Sequence, residues 1–352
     1  MNINQNFSDS SLIDFVPKSD LNLKDIQNVG IEDKHSTLIV FFPNEKEEYK
    51  WELWRSKNNE LVWISLDEQR SDQWKKLRHR RISASKFGAA INHSNFDNDD
   101  PDLLAEVLAG SRDPPPPSEA ARKRMDFGTE NEPLARDYYQ RTLQCQVKEL
   151  GLSIPQSNFE IGASLDGEVI IDESLAIGSN SSLVELENLE MEGLDLLDVD
   201  SKDLKRVWNK LPILSEGMIE IKCPEKMYPP IKDYVNKQEK WKKWPHLLTT
   251  DSSYPHIYQT HYDQMQGCMA ITGKLWCDYV IFCPKTDEVF IERIPFSNTY
   301  WENILFSGLH KFVSNKLRPS ILLTAQNPQA LRSYPRIDPP TIQSYIKDLN
   351  YL

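Results

Sequence analysis

The sequence predicts an α/β (α+β) fold: a central mixed β-sheet flanked by helices, with a small N-terminal β extension. Three observations lead there. Helical patterning with capping residues runs from residue 72 to residue 139. Alternation with a period of two takes over around 159–171 and again at 217–223. A further helical stretch then leads into two strands.

The elements follow in order. Residues 1–35 are polar and mixed. Between His35 and Trp54 two strands are expected about the turn-like Pro43-Asn44-Glu45, with a third at 61–66. Ser71 or Asp72 can cap a helix starting near Gln73. A second helix is expected from Ser83 to about Asn92 and a third from Pro101 to about Leu108. Pro114 to Pro117 form a stiff connector. The next helix starts near Ser118, is interrupted at Gly128 and Pro133, and resumes through Tyr139. Phe159 to Leu165 alternates as a strand, and Asp166-Gly167 reads as a hairpin turn into 168–171. Residues 173–210, rich in Ser, Leu, Asp and Glu, read as an acidic insertion. A strand at Gly217–Cys223, a helix at Pro255–Thr272, strands at Leu275–Cys283 and Glu288–Ile294, and a helix near Tyr300–Val313 complete the pattern. The expected organisation is an extension at 1–70, a main domain at 71–316 and a tail at 317–352.

Composition narrows the function classes. The 352 residues are 39% hydrophobic and 27% charged, ordinary for a globular protein. No apolar run suits a membrane span, and the N-terminus does not read as a secretory signal, so an intracellular protein, cytoplasmic or nuclear, is expected. Five cysteines without a CxxC pair point to free, buried thiols rather than zinc. The net charge of −12 hides basic runs at Lys75–Arg81, at Arg122-Lys123-Arg124, and at Lys240, Lys242 and Lys243 between Trp241 and Trp244. Phosphate binding needs local positive surface, not a positive total.

The chemistry centres on Gly217-Met218-Ile219-Glu220-Ile221-Lys222-Cys223-Pro224. On a strand, Met218, Glu220 and Lys222 share one face and Ile219 and Ile221 the other. A Glu and a Lys side by side suit a polar cleft at the strand end, or equally an edge strand with a solvated face. Asp166 precedes them, and Glu132 follows Gly128 on a helix where Glu130 competes for any role. Grouped, such carboxylates would hold Mg²⁺, with Mn²⁺ as a substitute, polarise a phosphodiester and activate water. A nearby ammonium would orient that water.

Five blocks then carry a resemblance. They are Trp74-Lys75-Lys76-Leu77-Arg78 with Ile82-Ser83-Ala84-Ser85, Gly128 through Glu132 with Ala135, Ser164-Leu165-Asp166-Gly167, Glu220-Ile221-Lys222-Cys223-Pro224, and Gln264-Met265-Gln266-Gly267 to Thr272-Gly273. Their content and order resemble the lambda-exonuclease/YqaJ viral recombinase family, related to viral alkaline nucleases. The resemblance runs from Trp74 to about Glu292. It implies the PD-(D/E)XK, restriction-endonuclease-like core. It further implies that Asp166, Glu220 and the Ile221 carbonyl hold metal, that Glu132 completes the acidic site, and that Lys222 positions the water. Arg78, Ser85 and Gln264 would lie by DNA phosphates at a 5′-phosphate pocket. The implied reaction is 5′–3′ exonuclease action on duplex ends in recombination. An annealing protein and a second copy of the chain are candidate partners. Endonuclease action, single-strand exonuclease action in genome maintenance, and a catalytically decayed DNA-end binder are the alternatives. The insertion between Asp166 and Glu220 and the long N-terminal extension depart from the family's compact pattern.

Overall fold

The computed structural model describes residues 26–28, 37–42, 45–56, 60–94, 100–170, 215–225, 257–286, 288–326 and 336–339. Residues 1–50, 172–211 and 340–352 group into one unit, and 51–171 with 212–339 into another. In the first unit, β1 (Ile26–Asn28) pairs antiparallel with β2 (Thr37–Phe42), Ile26 opposite Val40. The acidic insertion and the Lys240–Trp244 run lie outside the described residues.

The second unit is organised on a mixed sheet. Trp51–Arg55, the end of β3 (Glu45–Arg55), pairs with β4 (Leu61–Ser65), and β4 pairs in turn with β7 (Ser153–Pro155). These strands therefore join the main unit, and the expected boundary near residue 70 falls inside it. The reason is that Trp51, Trp63 and Val62 are fully buried there. Two-residue β5 (Ile82–Ser83) pairs parallel with β8 (Ile161–Gly162). The sheet that bears the chemistry has the order β12-β11-β10-β9-β6. Its strands are β6 (Gln146–Lys148), β9 (Gly167–Ile170), β10 (Gly217–Lys222), β11 (Trp276–Cys283) and β12 (Glu288–Pro295). The pair β10–β11 is parallel and the other pairs are antiparallel. A parallel pair needs a crossover, and that crossover contains a helix.

The helices cover both faces of this sheet. Up to residue 272 the helices in chain order are α1 (Asp72–Leu77), α2 (Phe87–Ala90), α3 (Pro101–Ala109), α4 (Glu119–Leu143) and α5 (Gln259–Thr272), of which α4 and α5 lie on the sheet. Ser71 caps α1, its side chain accepting from the Trp74 amide as expected of a Ser at that position. Asp100 and Ser118 cap α3 and α4 in the same way. Ala135 and Tyr139 of α4 pack on Val169, Ile219, Ile221, Val280 and Phe282. On the other face, Met218, Cys277, Tyr279 and Ile281 meet Met265, Cys268, Met269 and Ile271 of α5. Each fully buried aliphatic side chain here contributes about 1.5–3 kcal/mol. Helix α5 is buried almost all round, and Gly267 lets it approach α2. A Cβ there would stand 2.5 Å from the Phe87 ring.

Several elements differ from the sequence reading. Helix α4 runs unbroken through Gly128 and Pro133. Proline's φ is itself helical, and the lost hydrogen bond is offset by burial of Ala135 and Tyr139 just beyond. The alternating stretch 159–165 is not one strand. Only Ile161–Gly162 pairs, with β5, before Ala163 bridges to Ser153. The chain then crosses to another sheet, so Asp166-Gly167 is no hairpin turn. Gly167 is required by packing, since a Cβ would come within 2.1 Å of Val147 Cγ1. The helix expected from Ser83 is a 3-10 turn at Ala84–Lys86 followed by the short α2. Helix α5 begins at Gln259 rather than Pro255. The C-terminal helical stretch continues beyond Val313 to Ala325, with π-type turns at Trp301–Phe306 and Val313–Leu317. The described piece of the tail at 336–339 is tied down. Asp338 pairs with the fully buried Arg81, whose guanidinium also donates to the carbonyls of Leu77, Phe159 and Ile337. Arg81 of the first basic run is thus a core residue, not phosphate-binding surface.

Candidate active site

The Glu220 carboxylate is fully buried on β10, on the face that meets α5. Its Oε1 pairs with Lys222 Nζ, two residues on along the same face. Its Oε2 accepts from Gln264 Nε2 of α5 at 2.9 Å. The antiparallel register sets Glu168 opposite Met218 and Gly167 opposite Ile219. Continued by one residue, that register puts Asp166 across from Glu220. Asp166 Oδ2 indeed accepts the Ile221 amide at 2.7 Å. Alternation puts Glu220 and Lys222 on one face, and the β9–β10 pairing and helix α5 then bring Asp166 and Gln264 beside them. Ile221 enters through its amide, which holds Asp166 in place.

Glu132, on α4, is held from two sides. Arg70 Nη2 donates to Oε2 at 2.7 Å and Arg136 Nη2 to Oε1 at 3.0 Å. Arg136 Nε also donates to the Asp166 carbonyl at 3.1 Å. The competitor Glu130 is exposed, with no such partners among the described residues.

The electrostatics show a surplus of negative charge. Burial, then the charge of Glu220, raise the Asp166 carboxyl well above its usual range, with Lys222 opposing. Burial also raises Glu220, against the pull of Lys222 and with a push from Glu132. Burial would lower the Lys222 ammonium, but Glu220 and Asp166 hold it above its ordinary value. With Glu132 paired to Arg70 and Arg136, the Lys222 ammonium faces two buried carboxylates, Asp166 and Glu220, and a cation would relieve that imbalance. The donor set fits Mg²⁺, which commonly binds through one or two carboxylates and keeps several waters. Among the described residues no three His, Cys, Asp or Glu side chains close on a single point. A metal here would therefore rest on Asp166 and Glu220, with other positions filled by water or backbone.

Arg78 presents the opposite condition. Its guanidinium lies 4.3 Å over the Trp74 ring, donates to Ser83 Oγ at 2.6 Å and reaches Ser85 Oγ at 3.4 Å. Burial pushes it down to about 10, which still leaves it charged at neutral pH. Among the described residues no carboxylate pairs with it. Trp74 Nε1 donates to Ser164, two residues before Asp166, at 3.1 Å, so the ring under Arg78 is tied to the segment that leads into the carboxylates. Gln264 is not part of this cluster; it serves Glu220. Ser83 makes the shorter contact and was not singled out in the sequence. Arg70 and Arg136 were also missed. The spacing of Glu132 and Arg136, four apart on a helix, was an available signal; Arg70 offered none. Four of the five free cysteines are buried, and Cys145 is partly exposed.

Residues 73–275 match the YqaJ-like viral recombinase domain. No curated protein gives a match. Among solved structures, the alkaline exonuclease LHK-Exo from Laribacter hongkongensis is 20% identical, with a TM-score of 0.43, 73% of this chain covered and 97% of that one. Its complex with dAMP gives a TM-score of 0.45 at the same identity and coverage. A phage-related exonuclease from Haemophilus somnus 129PT is 12% identical, with a TM-score of 0.39, 71% of this chain covered and 97% of that one. The family match spans more than half of the chain, and the chain belongs to the YqaJ-like viral recombinase family.

Proposed function

We propose that this chain is a metal-dependent DNA nuclease that hydrolyses phosphodiester bonds from a 5′ end of duplex DNA. One observation carries the reading. A buried centre with two carboxylates against one ammonium (Asp166, Glu220, Lys222) is reached by the segment that starts at Ser164, and Ser164 is bonded to Trp74, whose ring stacks under Arg78, a half-buried arginine with no carboxylate partner among the described residues. The first calls for a cation and the second for an anion. A divalent metal and a phosphate ester satisfy both. Family membership supports the same chemistry.

The residues divide the work as follows. Asp166 and Glu220 would hold Mg²⁺, with the Ile221 carbonyl as a further ligand and Glu132 completing the acidic side. Bound there, the metal polarises the phosphate and lowers the pKa of its water. Lys222, kept protonated by its neighbours, orients that water and faces the charge that develops on the phosphate. Gln264 fixes the Glu220 carboxylate through its amide. Arg78, backed by Ser83 and Ser85, grips a terminal phosphate with its planar fork.

The test is a cleavage time course on linear duplex DNA labelled separately at each end, beside a closed circle, with Mg²⁺ or EDTA. Mg²⁺-dependent loss of the linear DNA from its 5′ ends, with the circle spared, is expected. Nicking of the circle would replace the exonuclease by an endonuclease. Binding without cleavage would point to a decayed DNA-end binder. Arg78→Ala should lower the preference for 5′-phosphorylated over 5′-hydroxyl ends. If wild type cuts both ends equally, the phosphate pocket is lost from the reading.

A further inference from the structure

Arg136 touches both sides of the carboxylate centre. It lies one helical turn past Glu132 on α4, and only 11% of its side chain is exposed. Nη2 donates to Glu132 Oε1 at 3.0 Å, Nε donates to the Asp166 carbonyl at 3.1 Å, and Nη1 pairs with Glu149. Glu132 belongs to a helix on one face of the sheet, and Asp166 to the lead-in of β9. Arg136 bridges the two. A guanidinium holds its donors in a rigid plane, so bonds made from Nε and Nη2 fix direction as well as distance. Arg70 differs. Its side chain is 52% exposed, and among the described residues its ion pair is with Glu132.

We propose that Arg136 is a positioning residue for the metal-bearing centre, setting where Glu132 stands relative to Asp166. The inference rests on the nuclease reading above. Arg136 does not touch substrate. It acts through the backbone that carries Asp166 and the carboxylate of Glu132, and its effect belongs to metal affinity rather than to DNA affinity. Groups that orient metal ligands from behind typically change metal affinity by roughly 10–100-fold when removed. Arg70, with one contact and a wet side chain, has the smaller effect. Glu149, more than half exposed, steadies Arg136 from the solvent side.

The experiment compares wild type with Arg136→Met, Arg136→Lys and Arg70→Met. Mn²⁺ binding is titrated without DNA by the loss of the free-ion electron paramagnetic resonance signal. DNA affinity in EDTA, the Mg²⁺ dependence of cleavage and thermal melting are measured in parallel. Arg136→Met should weaken Mn²⁺ binding roughly 10–100-fold and move the Mg²⁺ requirement the same way, with DNA affinity in EDTA unchanged. Arg136→Lys, which reaches one acceptor at a time, should fall between wild type and Met. Arg70→Met should shift binding less than Arg136→Met. Wild-type Mn²⁺ affinity in a folded Arg136→Met protein overturns the proposal. If that variant does not fold, wild-type affinity in Arg136→Lys overturns it instead. Wild type that cuts and binds Mn²⁺ beside an equally competent Arg136→Met removes the positioning role alone. Wild type that neither cuts nor binds the ion removes the nuclease reading and this inference together.

Discussion

Two buried glutamate–lysine pairs stand on the same face of one sheet, and they are built differently. Glu168 on β9 takes Lys274 Nζ at 2.6 Å and the Ser215 amide at 2.6 Å, while Lys274 also donates to the Ser215 carbonyl at 2.9 Å. Both side chains are sealed from solvent, and one charge meets one charge. Glu220 and Lys222, two strand positions away from the level of Glu168, share their surroundings with Asp166 and Glu132. Arg70 and Arg136 answer Glu132, but Asp166 and Glu220 together outnumber Lys222, which is still 27% exposed. Burial lowers the Lys274 ammonium despite Glu168, whereas the crowd of carboxylates raises that of Lys222. A saturated, neutral pair is a structural joint. On the proposed reading, a pair with surplus negative charge and one open side is where a cation would bind.

The contrast can be tested by substitution. Glu220→Gln should cost the largest effect, at least about a thousandfold in cleavage rate, since metal stabilisation of the transition state is worth several kcal/mol. Its metal-free melting temperature should equal or exceed that of wild type, because a like charge leaves a crowded site. A marked fall in melting temperature would make Glu220 structural.

Lys274→Met should show the reverse. Leaving Glu168 buried and unpaired should cost about 3–5 kcal/mol in denaturant unfolding, with any folded fraction still active. Adding Glu168→Leu to Lys274→Met should recover much of that loss, since buried pairs are often replaceable by apolar groups. No recovery in the double variant would show that the pair does more than join strands.

The pH response should separate the two sites again. Asp166 and Glu220 are raised in the folded, metal-free protein above unfolded values of about 3.9 and 4.3. In the window between those values and the raised ones the native state binds the extra protons. Metal-free stability should therefore fall as pH rises through that window. Mg²⁺ should offset the fall, by about 2.7 kcal/mol at a hundred times its dissociation constant. Melting curves with and without Mg²⁺ check this, and Glu220→Gln should flatten the metal-free slope. A slope identical in wild type and variant would detach the carboxylates from the pH response.

The smallest expected effect on cleavage is at Pro133. Pro133→Ala returns an amide to the middle of α4 and should raise stability by up to about 3 kcal/mol, without changing the cleavage rate. Loss of activity in that variant would mean that the proline shapes the position of Glu132, one residue before it.

Much of this centre was legible in the sequence. Alternation on Gly217–Lys222 placed Glu220 and Lys222 on one face and the isoleucines on the other, and the structure keeps that division. The cap at Ser71 and the buried thiols at Cys268, Cys277 and Cys283 were also readable. Asp-Gly at 166–167 was read as a turn because turn chemistry is local. Its actual cause, the side chain of Val147 on the neighbouring strand, is twenty residues away and leaves no local trace. The break expected at Pro133 failed for a similar reason, because the packing of Ala135 and Tyr139 outweighs one missing hydrogen bond.

The sequence by itself determined which side chains are available, which face of β10 they share and, through the order of the motifs, the family. Tertiary structure alone decided the charge balance. Glu168 meets Lys274 across 106 positions, and Arg136 reaches the Asp166 carbonyl across 30. Whether a buried glutamate is a neutral joint or part of an anionic centre depends on every charge within a few ångströms of it. Those charges arrive from segments far apart along the chain, so no local pattern records the sum.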